Sequence, residues 1–206
     1  LQYYATGRSL PKYDWFYKVR DTYEAIAETE SLLPLAFRRN VNEGKTYIRE
    51  KYFFDHQNKR VITSRQMDKD EEAVQDTVFF TGCSWDVLSI IYYARNLDFS
   101  GREKGSKFPI KIFLDNEEHQ SFIEYLGKEK LKFAGTEIEC YKFSPLLIEG
   151  TIFSSGRGMT VWVTADKNML PLLIETPILI GSIKAKLRSA ENLRHDLNVE
   201  LGKSRK

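Results

Sequence analysis

Residues that announce a chemistry are scarce in this chain of 206. The two cysteines, Cys83 and Cys140, show no CxxC spacing. That excludes a disulfide framework and a dithiol redox motif, and leaves one bridge or two buried thiols equally open. The three histidines, His56, His119 and His195, stand far apart, and none falls in an HExxH pair. Glu117-Glu118-His119 has the wrong spacing for a zinc helix. There is no GxSxG elbow, because Ser154-Ser155-Gly156-Arg157-Gly158 leads into a strand pattern rather than a helix. The glycine-bearing segment 101–107 (GREKGSK) lacks the strand–loop–helix setting of a phosphate loop. No apolar run approaches the roughly 20 residues of a membrane-spanning helix. The longest, MLPLLIETPILIG, is broken by Glu175 and two prolines.

Charge of one sign is lacking as well. The 31 basic and 29 acidic residues are interspersed and leave a net of +2, without the clustered cations of a nucleic-acid footprint. The acidic stretch 67–76 and the terminal KSRK read as solvated surface. Carboxylate pairs such as Asp70-Glu71 and Glu137/Glu139 sit in that stretch or alternate along a strand, so they assign no acid and base. The chain is therefore predicted to be non-enzymatic, with no cofactor, no metal and no nucleic-acid partner.

What is abundant is aromatic and strand-forming sequence: 13 Phe, 11 Tyr and 3 Trp in a chain that is 42% hydrophobic. Residues 84–95 (SWDVLSIIYYAR) stand out. At about 100° per residue their apolar side chains go almost all the way round, which predicts a helix buried on most sides. Ser84 is placed to cap it, with Asp86 in the first turn and Arg95 in the last. Asp86 and Arg95 end on opposite sides, so the polar residues Asp86, Ser89, Tyr92 and Arg95 cannot converge on one ligand. Elsewhere, period-two alternation and turn residues predict about ten strands. These fall at 2–6, 21–28, 35–41, 47–54 and 61–65, then 108–114 with a turn at Asp115-Asn116. A hairpin follows, 120–126 with 131–143 about Gly127-Lys128-Glu129. The last are 159–165 paired with 170–175 about 166–168, and 178–187. The segment 11–17 (PKYDWFY) is dense in aromatics and predicts a plug over one end of the core. The apolar stretch 145–153, with Leu146, Leu147, Ile148, Ile152 and Phe153, reads as a loop folded back into the interior, with a lid or partner patch as the alternative.

Strands on both sides of one helix, without βαβ alternation, predict a mainly β (α+β) fold. In it a single curved antiparallel sheet, half-barrel-like, wraps one core helix at about 84–95. Residues 1–206 are read as a single domain whose tail after about 190 is loosely ordered. Position 1 is Leu rather than Met, which predicts a trimmed chain.

Several strings carry a resemblance. KYDWFYKVRDTYEA, LLPLAFRRNVNEGKTYIREKYFFD, WDVLSIIYYAR, the Gly-Lys-Glu of 127–129 and RGMTVWVTADKNMLPLLIETPILIGSIKAKL resemble a family of exported bacterial proteins, domain of unknown function 3108. That family is common in Bacteroides-type organisms. The resemblance runs from about Tyr13 to Leu187 and is most specific in the VWVT–turn–P–GSIK ending. It implies a β-rich, exported, periplasmic or envelope-associated protein, and it assigns no reaction or catalytic residue. Members open with a further aromatic strand pair before the equivalent of Gln2, which predicts that part of the sheet is missing here. The tail after Leu193 departs from the pattern. Under this reading Tyr92, Tyr93 and Trp162 face a groove for a lipid-like or other apolar small molecule. The alternative is an interaction or scaffold protein of the envelope with a filled core, and a hydrolase with an unrecognised site ranks below both.

Overall fold

The computed structural model describes residues 1–146, 158–177 and 182–197. From residue 147 on, the apolar stretch 145–153 lies outside the described residues, as do residues 178–181 of the last predicted strand. The chain forms two compact units. The first is Leu1–Asn96 with Lys111–His119, and the second is Leu97–Ile110 with Gln120–Lys206.

The fold is mainly β, but the single sheet expected from sequence is two. Six antiparallel strands succeed one another in the first: β1 Gln2–Arg8, β2 Arg20–Ala27, β3 Pro34–Glu43, β4 Thr46–Asp55, β5 Arg60–Gln66 and β6 Val74–Phe79. The second runs in the order β12-β11-β10-β9-β8-β7. Its strands are β7 Lys107–Leu114, β8 Glu117–Phe133, β9 Thr136–Pro145, β10 Thr160–Thr164, β11 Pro171–Pro177 and β12 Ser182–Lys186. Neither sheet closes into a barrel. β6 (VQDTVF) has no buried face to alternate with, because five of its six residues are exposed.

The expected hairpin about 127–129 is also corrected. β8 continues through Gly127, where a register shift between Tyr125 and Gly127 marks a bulge. Gly127 takes φ 101 there, a conformation that only glycine enters at little cost. The chain reverses instead at Ala134-Gly135, between Phe133 and its partner Thr136. The predicted turn at Asp115-Asn116 does form. Both residues have positive φ (54 and 63), as a two-residue turn of the primed type requires.

The helix is shorter and less buried than its sequence suggests. α1 spans Ser89–Ala94. Asp86 caps it in place of Ser84: its carbonyl accepts the Ile90 N–H, and its Oδ1 accepts the N–H groups of Leu88 (2.8 Å) and Ser89 (2.9 Å). Leu88 and Ile90 are buried but Ile91 is 52% exposed, so only the entry of the helix is enclosed. An all-round apolar pattern overestimates burial where the element is barely two turns long.

The first unit's core is aromatic. Tyr3, Ala25, Phe37, Tyr52 and Thr63 lie in one cross-strand row on the buried face of β1 to β5. Phe37 stacks on Tyr52 at 5.5 Å, and Phe113 meets Tyr52 edge-on at 5.1 Å. Such pairs contribute about 0.5–1.5 kcal/mol each beyond the apolar area they bury. The next row on the same face is ionic. Arg39, Glu50 and Arg65 pair in register across β3, β4 and β5. The Glu50 side chain has no solvent exposure. It accepts from Arg39 Nε (2.5 Å), from Arg65 Nε and from the Tyr52 hydroxyl (2.8 Å). Asp115, in the β7–β8 turn, accepts from the second guanidinium nitrogens of Arg39 (2.5 Å) and Arg65 (3.0 Å). Its own N–H donates to the Tyr52 hydroxyl (3.2 Å). Two cations thus meet two carboxylates, and the buried phenol both donates and accepts. Burial works against the Arg39 charge, but Glu50 and then Asp115 outweigh it and hold the guanidinium above its ordinary pKa. Burial, followed by the Glu50 charge, pushes the Tyr52 hydroxyl far up.

The second unit packs Phe99 against Phe143 (4.5 Å), Phe108 (5.0 Å) and Tyr125 (5.5 Å). Ile138, Cys140, Trp162 and Leu172 form a separate cluster. The turn after β10 is tied by Asp166, whose Oδ1 accepts from Thr164 Oγ1 and from the Asn168 and Met169 N–H groups. Asn168 in turn donates to the carbonyls of His195 and Asp196 and accepts the His195 N–H, holding that part of the tail.

Removing one member of a buried ion network strands the others. Glu50→Ala is expected to cost about 3–5 kcal/mol. Glu24→Ala, which breaks the outer-face pair with the 61% exposed Arg38, is expected to cost about 1 kcal/mol or less. Thermal or denaturant unfolding of the two variants checks the contrast, and equal losses would refute it.

Candidate functional site

The three residues singled out for a groove occupy different surroundings. Tyr92 and Tyr93 are adjacent on α1, about 100° apart, and therefore meet different neighbours. Tyr92 stacks flat on Tyr3 of β1, with centroids 3.8 Å apart and planes at 7°. The Arg95 guanidinium lies 5.5 Å from the centroid of the same ring. Tyr93 packs on Trp85 at 4.4 Å. Both belong to the first unit. Trp162 belongs to the second, within the cluster of Ile138, Cys140 and Leu172. Its indole N–H donates to Glu129, and Lys142 Nζ lies 4.9 Å from the ring centroid. The Trp162 hydrogen bond, with Lys142 beside it, holds the Glu129 carboxyl below its ordinary range.

Beside the Tyr3–Tyr92 stack is a set of polar atoms that alternation alone did not reveal. Ser84, Asp86 and Ser89 are fully buried, and Trp85 nearly so. Among the described residues, Ser84 Oγ, Trp85 Nε1 and Asp86 Oδ2 have no protein partner at hydrogen-bond distance. Buried polar groups are rarely left without a partner, so these atoms stand out in the interior of the first unit. Burial raises the Asp86 pKa, and the Ser89 side chain, followed by the N–H groups of Ser89 and Leu88, opposes this only in part. The Tyr3 hydroxyl is raised by its own burial, then by the charges of Tyr92 and Asp86. The sequence signal was Ser-Trp-Asp-x-x-Ser ahead of an apolar run, which reads equally well as a plain helix start.

Two of the histidines are bonded to the backbone framework through one ring nitrogen each. His56 Nε2 lies 2.7 Å from the Pro34 carbonyl, and His119 Nε2 lies 3.2 Å from that of Leu114. A carbonyl only accepts, so each of these nitrogens carries a proton. The cysteines are free thiols, Cys83 exposed and Cys140 buried. Burial pushes the Cys140 thiol up to about 11. No group of three His, Cys, Asp or Glu side chains suited to a metal ion occurs among the described residues. Among the described residues, no helix is long and apolar enough to cross a membrane.

Two outcomes follow from this geometry. Asp86→Asn keeps a capping oxygen and removes a buried charge. Because the Asp86 pKa is raised by folding, the folded state holds its proton more tightly than the unfolded state. The ionised side chain therefore costs stability as pH climbs above the ordinary carboxylate range. The variant should gain on the parent at pH 8 relative to pH 4, by about 2–4 °C of Tm for each kcal/mol recovered. Asp86→Ala, which loses the cap, should fall below the parent by about 0.5–2 kcal/mol. A D86N advantage independent of pH would contradict the buried-charge account. For the thiols, titration with a disulfide reagent at neutral pH should label Cys83 rapidly and Cys140 only on unfolding. Equal labelling rates would contradict the assignment.

Comparison with known proteins adds family but not activity. A β-barrel-like protein of domain of unknown function DUF1849 from Brucella abortus has a crystal structure similar to this one. It is 11% identical, with a TM-score of 0.40 over 82% of this chain and 86% of that one, a likeness too distant to support any statement about function. No curated protein matches the chain. The family model described as protein of unknown function (DUF3108) matches residues 1–188, nearly the whole chain, and with it the strings that carry the resemblance. The chain belongs to the DUF3108 family.

Proposed function

We propose that this protein is a non-enzymatic interaction protein of the cell envelope, with a filled interior and its function carried on its surface. The observation that carries the reading is how the first unit spends its polar groups. Its buried Glu50 is matched by Arg39 and Arg65 across β3, β4 and β5, both bridged by Asp115 of the β7–β8 turn, and its rings fill the space beside them. A catalytic role would need a nucleophile beside a base. His56 and His119 are bonded to carbonyls, and the Cys140 thiol is held in its protonated form. Large apolar side chains meanwhile face solvent. Ile26, Phe53 and Ile62, with Ala36 between the first two, form one cross-strand row on the outer face of β2 to β5. They are 45%, 57% and 41% exposed. Export and an envelope location rest on the resemblance to exported proteins of the family.

A second reading, a carrier of a lipid-like or other apolar molecule, is favoured by one observation. Trp85, whose Nε1 is unpartnered, packs on Tyr93, and the charge of Asp86 acts on the hydroxyl of Tyr3, which stacks on Tyr92, so unmet polar atoms and aromatic rings occur together as they do in small-molecule sites.

Native mass spectrometry of the protein purified from its own host, followed by solvent extraction, separates the two readings. The interaction reading predicts the mass of the bare chain. A reproducible lipid-sized adduct would overturn it in favour of the carrier. Cell fractionation tests the location independently, and recovery in the cytoplasm would overturn the envelope assignment.

A further inference from the structure

The β1–β2 connection, residues 9–19, turns its largest side chains outward. Trp15 is 84% exposed and Phe16 79%, with Leu10 and Tyr13 each more than half exposed. The expected aromatic plug is therefore not in the core at all. Its backbone is nevertheless held from several sides. A 3-10 turn at Pro11–Tyr13 is followed by hydrogen bonds from the N–H groups of Phe16 and Tyr17 to the Tyr13 carbonyl. Asp14 pairs with Arg20 (2.5 Å) and accepts from Ser9, whose Oγ in turn accepts the Val19 N–H. The Tyr17 ring lies against Gly44, where a Cβ would come within 2.9 Å of it, and the Gly44 N–H donates to the Lys18 carbonyl. Trp15 and Phe16 meet each other edge-on at 5.9 Å. Rings presented by so tied a backbone lose little further freedom on binding.

Charge indicates what they meet. Arg8, Lys12, Lys18, Arg20 and Lys45 surround the loop, against Asp14, Asp21 and Glu43. Asp14 is spent on Arg20, and Asp21 is buried and accepts the Asn42 N–H. Glu43 accepts from the Tyr17 hydroxyl (3.4 Å). The exposed cations are Lys12, Lys18 and Lys45 with Arg8. Lysine is depleted in protein–protein interfaces, whereas Trp and Tyr flanked by lysine suit the headgroup layer of a bilayer. There the rings replace water with lipid while the ammonium groups stay among phosphates.

We propose that residues 10–18 form a membrane-docking loop that seats Trp15 and Phe16 in the interfacial layer of a phospholipid bilayer bearing anionic headgroups. This gives a partner to the surface-interaction reading and rests on it. The three tryptophans make a direct test possible, because Trp85 and Trp162 are buried and Trp15 alone is exposed. The full chain is mixed with phosphatidylcholine vesicles with and without phosphatidylglycerol, and tryptophan emission and co-sedimentation are followed. The expected result is a blue shift and pelleting with the anionic vesicles that weaken with salt. Binding should fall about tenfold or more in Trp15→Ala/Phe16→Ala. That variant should keep the parent's Tm, since both side chains lie in solvent. Absence of pelleting with anionic vesicles, or pelleting undiminished in the double variant, would overturn the proposal. Pull-down of a protein through this loop without vesicle binding would overturn it in favour of a protein partner. A chain that fractionates with the envelope yet ignores vesicles defeats only the docking loop, while one that binds vesicles but fractionates with the cytoplasm defeats only the location.

Discussion

A carboxylate taken wholly out of water loses hydration that only cations and donors at defined positions can replace. Glu50 is such a group, and much of the first unit can be understood as its answer. Arg39 and Arg65 reach it because β3, β4 and β5 are paired in one register. Strand side chains alternate with period two, so a one-residue slip of β4 would send Glu50 to the solvent face and leave both guanidinium groups facing apolar neighbours. The ion row therefore makes wrong pairings costly even where it adds little net stability. The same row uses Asp115 to fix the tip of the β7–β8 hairpin, and Tyr52 links the ionic row to the aromatic one through a single hydroxyl.

The two units solve the problem of polar groups in different ways. In the first, charge is buried and answered by charge. In the second, the indole of Trp162 is anchored by Glu129, and Asn168 clasps the backbone of residues 195–196, so the buried polar atoms are mostly neutral. Around Asp86 the matching is incomplete, since its Oδ2 has no protein partner. The outward rings of the β1–β2 loop have the opposite character, apolar surface left in water by a backbone that is firmly held.

The sequence made most of the first sheet legible, since period-two alternation in 21–28, 35–41 and 47–54 corresponds to β2, β3 and β4. Turn chemistry located Asp115-Asn116 and the Asp166 turn for the same local reason. Failures came where local pattern and tertiary setting part. Gly127 reads as a hairpin apex but serves a bulge inside β8, and its positive φ suits either role. The helix pattern of 84–95 is apolar all round, yet Ile91 faces solvent. One sheet could not be told from two, because a meander looks the same in sequence wherever it divides. Glu50 shares a face with Ile48 and Tyr52, which was visible. Its partners were not, since Arg39 and Arg65 are brought to it only by pairing across strands. Nothing in the local sequence of Tyr92 and Trp162 says that one stacks on Tyr3 and the other bonds to Glu129.

NMR of the arginine side chains probes the Glu50-centred network most directly. The Nε–H groups of Arg39 and Arg65 each donate to a carboxylate that has no solvent contact, whereas Arg38 is exposed on the outer face. At neutral pH, Arg39 and Arg65 should give discrete Nε–H resonances that exchange slowly with water, while that of Arg38 exchanges fast. Both slow signals should be lost when Glu50 is replaced by alanine. If the Nε–H groups of Arg39 and Arg65 exchanged as fast as that of Arg38 in the parent protein, the network would not be the buried constraint on which the first sheet depends.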